Sequence, residues 1–442
     1  MNLTPLEPWI ATKIGVEPTR LARSDLEAYQ LAKLQETIQI LREKSPFYRN
    51  HLADYPTELT SLDDLATFPF TTANDLQREP LQFLCVSQSD VRRVVTLQSS
   101  GTTGSPKRLF FSHADQELTL DFFHIGMSTF ANPGDRVLIL LPAERSGSVG
   151  DLLALALGRR GAHGIRHGLV RDVAHTLDTL FSEGANSLVG VPTQVLALAR
   201  SVEARRFPIP PVQTALLTMD HVPVSIVNHL EQVWPCTVYN HYGMTEMGLG
   251  GGVECEARRG YHWREADLYI EIVDPRSGMP VAEGELGEIV FTTLTRQAMP
   301  LLRYRTGDMS CVIPDPCPCG TCLKTLARVH SRIRNSVPIG TASYLAMADL
   351  DEILFPVDPV LDFTASLETA GGQNHLKLHV HLTETPHEHA LTMIRAALDA
   401  IPAIRSGQLG LTLTAEDGCG NLSPNHGKRA IRFHPEDPGA GQ

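Results

Sequence analysis

This 442-residue sequence has no uninterrupted apolar run long enough to cross a membrane, because its most apolar stretch, residues 137–157, is broken by Glu144, Arg145 and Asp151. That stretch reads instead as a buried strand, a loop and a helix. No run of like charge exceeds a few residues, and the formal net charge of -12 works against nucleic acid or an anionic membrane as a general partner. The opening residues MNLTPLEPWIATKIG lack the basic start and apolar stretch of a secretory signal, so a cytoplasmic location is expected. Eight cysteines are too few for a disulfide scaffold at this length. Low-complexity tracts and internal repeats are also missing, and 42% hydrophobic with 20% charged residues is an ordinary globular balance.

The chain does have length enough for two or three domains, each able to bury a core. Apolar residues recur at helical spacing over residues 25–42, and Pro46, Pro56, Pro69 and Pro80 punctuate the adjoining segment, which predicts a helical N-terminal layer. Beyond residue 91, short Val/Ile/Leu strands (137–141, 187–191, 215–218, 237–240) alternate with helical segments (173–183, 193–203, 223–233). That alternation predicts an α/β domain on a largely parallel sheet, whose active site gathers at strand C-terminal ends. Residues 265–293 read as β-rich, with a turn at Asp274-Pro275-Arg276-Ser277-Gly278 between IEIV and GEIVFTT. From about residue 331, an alternating strand LKLHVHLTE and a helical stretch over 388–401 predict a small α+β C-terminal domain with a frayed tail.

Three motifs carry the chemistry. Ser99-Ser100-Gly101-Thr102-Thr103-Gly104-Ser105-Pro106-Lys107 comes directly after a β-type run. Its glycines let the backbone approach an anion, its hydroxyls and amides donate, and Lys107 adds charge, which together make a phosphate cradle without Walker spacing. Tyr239-Asn240-His241-Tyr242-Gly243-Met244-Thr245-Glu246 offers an aromatic face for a base, a turn at Gly243, a hydroxyl for a phosphate oxygen at Thr245 and a hard-cation carboxylate at Glu246. In Arg303-Tyr304-Arg305-Thr306-Gly307-Asp308, a carboxylate after a glycine turn is suited to both hydroxyls of a ribose.

Four of the cysteines, Cys311, Cys317, Cys319 and Cys322, fall within twelve positions, and Cys255 with His262 lies upstream at C-x6-H spacing. Cys255, His262, Cys317 and Cys319 would make a closed tetrahedral zinc site, assigned to folding because no ligand position stays open. Cys322 and Cys311 are rival ligands by spacing.

SSGTTGSPK, YGMTE and YRTGD, in this order, resemble the successive motifs of the adenylate-forming acyl-CoA synthetase superfamily. The lead-in SPFYRNHL with LDDLATFPFTTANDL, and GELGEIVFTTLTRQAMPLLRYRTGD, are similar to the phenylacetate–CoA ligase group over residues 30–330. The resemblance implies an adenylation domain over 1–330, with a zinc-stabilised segment at 255–322, and a small mobile C-terminal domain over 331–442. It also implies that Ser99, Ser100, Gly101, Thr102, Thr103, Gly104 and Lys107 grip ATP phosphates. Tyr242 with Gly243 would hold adenine, Thr245 the α-phosphate, Glu246 magnesium and Asp308 the ribose. Lys428, in NLSPNHGKR, stands where the superfamily carries the lysine that bridges carboxylate and phosphate during adenylation. Related ligases often show a zinc-type cluster where the cysteines lie, and they are often dimers, so a homodimer is compatible with the resemblance.

The implied reaction is attack of a small or aryl carboxylate on the ATP α-phosphorus, with thioester formation on coenzyme A as its second half. The sequence departs from the pattern at the hinge: Arg332 matches the family arginine of the nucleotide site, but Arg334 and Asn335 stand where acidic residues belong. Thr218-Met219-Asp220 replaces a Gly-Ala-Glu element, and the substrate region PAERSGSVG is polar and small. An amine or a carrier protein is therefore the alternative acyl acceptor. A non-catalytic nucleotide or acyl binder is the third alternative, against which Lys107, Glu246, Asp308 and Lys428 all speak.

Overall fold

The computed structural model describes residues 1–97, 106–333, 336–339, 343–370, 373–383, 387–418 and 429–434. Two compact units divide the chain, and neither is continuous in sequence: the first takes residues 1–133, 151–161 and 239–329, the second 134–150, 162–238 and 330–442.

In the first unit, helix Arg23–Lys44 buries Leu26, Leu34, Ile38 and Leu41, and its free Ala22 amide is met by the Asp25 carboxylate at 3.0 Å. Ser45 ends this helix and caps the next, Pro46–His51, by accepting from the Tyr48 amide. The fully buried Tyr48 hydroxyl joins Thr71 at 2.8 Å and accepts from the Leu302 amide at 3.0 Å, tying this helical layer to the β-rich part. There, strands Leu268–Val273, Gly287–Thr293 and Tyr304–Ser310 form an antiparallel sheet. The expected turn at Asp274 is present: its carboxylate accepts from the amides of Arg276 and Ser277, and Gly278 takes φ +72. Strands Val91–Leu97 and Lys107–Ser112 make an antiparallel hairpin in which Leu97 faces Lys107. The phosphate-cradle residues 99 to 104 join those strands and lie outside the described residues.

In the second unit, strands His163–Arg166, Arg136–Leu140, Ser187–Gly190 and Thr214–Leu217 lie side by side in that order, all parallel. Helices Val173–Ser182, Pro192–Arg200 and Val224–Val233 connect or succeed them, close to the ranges that periodicity predicts. The C-terminal α+β region has strands Val360–Ala370 and Gln373–Leu382 antiparallel, flanked by Arg432–His434 and Leu409–Asp417 in parallel pairing. Its apolar face shares one core with the parallel layer, Leu196 and Leu198 beside Phe355, Phe363 and Leu367. Arg200 donates to the carbonyls of Phe355, Val357 and Val360, at 3.3, 3.3 and 2.9 Å, and so ties helix Pro192–Arg200 to the connection between helix Met347–Leu354 and strand Val360–Ala370. Strands Ser336–Ile339 and Ser343–Ala346 pair antiparallel.

The stretch over 137–157 is a strand, a loop and a helix, and among the described residues no helix is long and apolar enough to cross a membrane.

Candidate active site and metal cluster

Glu246 sits in the short turn Thr245–Met247 that comes after strand Thr237–Tyr242, and its carboxylate is 3% exposed. A carboxylate so far from water needs a cation and hydrogen bonds. The Lys107 ammonium, at the head of its strand, supplies the first by direct contact with Oε1. The Tyr304 hydroxyl supplies the second at 3.2 Å and lies 3.3 Å from Lys107 Nζ. Burial alone would raise the Glu246 carboxyl, but the Lys107 charge and these bonds hold it below the ordinary range.

Two arginines fix the turn from behind. Arg296 donates to the Glu246 carbonyl at 2.6 Å and to the Phe110 carbonyl at 3.3 Å, with its guanidinium 4.4 Å from the Phe111 ring centre. Arg264, fully enclosed, donates to the Met247 carbonyl and lies over Phe122. Burial pushes Arg296 down to about 10, which still leaves it charged at neutral pH. Sequence reasoning misses Tyr304, Arg264 and Arg296. The signal it could use is a polar side chain within largely apolar surroundings, as at Arg296 in FTTLTRQAMPLL. Gly243 permits the tight return of the chain, because a Cβ there would run into the Leu249 carbonyl.

Tyr242 ends its strand with its hydroxyl donating to Asp308 Oδ2 at 2.9 Å, so these two sequence-predicted residues meet directly. The glycine before Asp308, read from the motif as a turn, is a bulge in the structure. It lies inside strand Tyr304–Ser310, where the pairing register slips opposite residues 288–290 and Gly307 takes φ +76. A bulge at this point leaves its extra residue unpaired and re-aims the neighbouring side chains. Arg303 anchors the strand's start from a left-handed backbone at φ +45. Its buried guanidinium makes a forked pair with Glu271, at 3.1 and 2.9 Å, and donates to the carbonyls of Ala66 and Phe68. Truncating one partner of such a pair costs about 3–5 kcal/mol, so the strand carrying Asp308 is firmly held.

Cys255, His262, Cys317 and Cys319 converge, all buried, with their ligand atoms within 4.8 Å of one another. Cys255 Sγ lies 3.6 Å from Cys317 Sγ, and Cys319 Sγ lies 3.6 Å from His262 Nε2. Tetrahedral zinc with thiolate and imidazole ligands needs neighbouring ligand atoms about 3.4–3.8 Å apart, so the donor set fits. His262 Nδ1 is 3.2 Å from the Lys324 carbonyl, which fixes the ring with Nε2 toward the thiols. The rivals fall away: the Cys322 amide bonds Glu7, and neither Cys322 nor Cys311 joins the group.

Not every expected residue enters this picture. Lys428, with Arg334 and Asn335 of the altered hinge, lies outside the described residues. Thr245 opens the turn, its carbonyl accepting from the Gly248 amide at 2.9 Å. Arg332 is in strand Ser331–Arg332 of the second unit, as is the Thr218-Met219-Asp220 element, where Met219 takes an unusual φ of +77.

The family model described as AMP-binding enzyme matches residues 29–295. A phenylacetate-coenzyme A ligase of Thermus thermophilus is 31% identical over 317 residues, 68% of each chain. One from Pseudomonas putida is 29% identical over 327 residues, 69% of this chain and 71% of that one. Among solved structures, a 2-hydroxyisobutyryl-CoA ligase in the postadenylation state superposes with a TM-score of 0.79 at 20% identity, covering 94% of this chain and 90% of its own, a likeness of fold. The chain therefore belongs to the AMP-binding enzyme family, within the phenylacetate–CoA ligase-like group of AMP-forming acid–thiol ligases.

Proposed function

We propose that this protein activates a small or aryl carboxylic acid with ATP, releasing pyrophosphate, and passes the acyl group to coenzyme A. The observation that carries this is the buried Glu246 carboxylate held between Lys107 and Tyr304 at the mouth of the phosphate-cradle hairpin. Glu246 is the residue that would hold magnesium, since one carboxylate together with substrate phosphates suits that ion. Magnesium, when bound, neutralises charge on the phosphate oxygens. Lys107 and residues 99 to 104 would meet the phosphates. Tyr242 holds Asp308 in place for the ribose, and Thr245 meets the α-phosphate.

In the first half-reaction a carboxylate oxygen forms a bond to the α-phosphorus while the bond to the pyrophosphate oxygen breaks. Lys428 bridges the two reacting groups, and its ammonium offsets the charge moving onto the transferred oxygens. Catalysis comes from positioning and charge, with no covalent protein intermediate. In the second half-reaction the thiol sulfur attacks the acyl carbon and AMP leaves; movement of the C-terminal region, 331–442, against the adenylation domain, 1–330, at this step would have to break the core that region shares with the parallel layer. Phenylacetate is the first acid to try, given the names of the curated relatives.

One observation favours a second reading. Arg334 and Asn335 replace acidic hinge residues, which supports an amine or a carrier protein in place of coenzyme A. Acid-dependent exchange of labelled pyrophosphate into ATP, run across aryl, short-chain and amino acids, tests the first half-reaction; coenzyme A is then added to the best acid. Absence of exchange with every acid would overturn the proposal, and exchange without thioester would select the second reading. Lys428→Ala should abolish exchange and leave ATP binding measurable. An unchanged rate would reject its role.

Cys255, His262, Cys317 and Cys319 hold zinc in this proposal as a structural ion, in keeping with thiols kept reduced in the cytoplasm. A homodimer belongs to the same reading and is checked by sedimentation.

A further inference from the structure

The C-terminal sheet carries a second group of metal-type side chains, apart from the residues assigned to adenylation above. Strand Gln373–Leu382 runs parallel to Leu409–Asp417, with His379 opposite Thr414 and His381 opposite Glu416. Residues two apart on a strand share a face, so His379 and His381 project together, ring centres 5.2 Å apart. Glu416 reaches both from the neighbouring strand: one oxygen lies 3.3 Å from His379 Nε2, the other 3.0 Å from His381 Nδ1. One ligand atom from each residue lies within 4.8 Å of the others.

We propose that His379, His381 and Glu416 form a binding site for a divalent transition-metal ion on this face. Two features go beyond an ordinary pair of surface ion pairs. First, both imidazoles converge on one carboxylate. Second, His379 Nδ1 is bonded to the Thr414 hydroxyl at 2.9 Å, so the ring is oriented and Nε2 is the nitrogen turned toward the site. Metal-ligating histidines are held through the second ring nitrogen in this way. Two imidazoles and one carboxylate select zinc, cobalt, nickel or copper over magnesium or calcium, which prefer all-oxygen sites. All three residues are partly exposed, so the remaining coordination positions face water and the ion exchanges freely. The site differs in kind from the buried thiolate cluster, which has four ligands and no open position.

Neighbouring histidines provide internal controls, because they already have other partners: His375 with Thr412 at 2.7 Å and His387 with Asp417 at 2.8 Å. The experiment is equilibrium dialysis of the full chain against micromolar Zn2+, with bound metal counted per chain. The readout is the difference between wild type and variant, so it does not depend on what the thiolate cluster holds. We expect the His379→Ala/His381→Ala double variant to bind one equivalent less than wild type. Glu416→Gln and Thr414→Val should each weaken that equivalent roughly tenfold or more. His375→Ala and His387→Ala should retain it. Melting curves without added metal, unchanged among the variants, show that the sheet still folds. Equal stoichiometry in wild type and the double variant would overturn the site, and so would a loss that tracks His375 or His387 instead.

Discussion

Glu246 is held by its side chain and by its own backbone, and the two kinds of contact separate experimentally. Arg296→Met keeps the bulk of the side chain against Phe111 but removes the donor to the Glu246 carbonyl. On the proposed reading it should raise the magnesium needed for half-maximal pyrophosphate exchange roughly tenfold. Glu246→Gln serves as the reference, and an Arg296 variant with unaltered magnesium demand would show that the turn needs no such support. Tyr242→Phe deletes the donor to Asp308, leaving a buried carboxylate oxygen one bond short at a cost of about 1–3 kcal/mol. Its effect should fall on the KM for ATP more than on kcat, as steady-state kinetics can resolve. At this scale Glu246, Asp308, Tyr242 and the four metal-type ligands are all legible in the sequence, because each sits in a short motif whose chemistry is local. Arg264, Arg296 and Tyr304 are not. Their partners lie far away along the chain, and only folding brings a guanidinium to the carbonyl of residue 246.

Helix Met347–Leu354 shows how an element can carry a pH response. Its Asp351 accepts from Arg429 at 2.5 Å, while the next residue, Glu352, meets His221 at 2.9 Å. Burial pushes the Asp351 carboxyl up to about 7, against the pull of Arg429 and with the nearby Asp220 adding to the rise. Burial would lower His221, but Glu352, Asp351 and Asp220 raise it. Asp362 also faces Arg429, at 3.3 Å. Both shifted groups hold a proton more tightly folded than unfolded. Their contribution to stability is therefore full at acid pH and is lost as pH rises: for Asp351 from about pH 4 through 7, for His221 above its ordinary 6.5. Melting temperature should fall between pH 5 and pH 8, and Asp351→Asn should flatten that slope; an unchanged slope would remove Asp351 as its source. Element positions themselves emerge from the sequence within a few residues, since the periods of strand and helix are local properties. The Asp308 strand reads as a turn in the sequence because a glycine after polar residues signals either a turn or a bulge, and only the partner strand decides.

At the scale of the molecule, chain order and spatial order part company. The chain leaves the first unit after residue 133 and returns to it in two later pieces, while the C-terminal region shares a core with the parallel layer of the second. Hydrophobic patterning announces that a face is buried and is silent about what covers it, so this interleaving is not legible. The candidate metal cluster, whose four side chains do converge, is legible and would have a large reach. His262 and Cys317 are the inner ends of its two halves, and residues 263–316 between them include both Tyr304 and Asp308. Cys317→Ala should lower zinc content and melting temperature together, the latter by roughly 5 °C or more. A variant that stays zinc-replete and stable yet inactive would contradict a structural role. The spacing of the first two thiols adds a hazard of its own. With sulfurs 3.6 Å apart, Cys255 and Cys317 need only a small approach to bond once no ion separates them. A stripped sample left in air should seal itself with a disulfide and refuse zinc until a reductant is added, so the cluster would record whether the protein had met oxidant before metal.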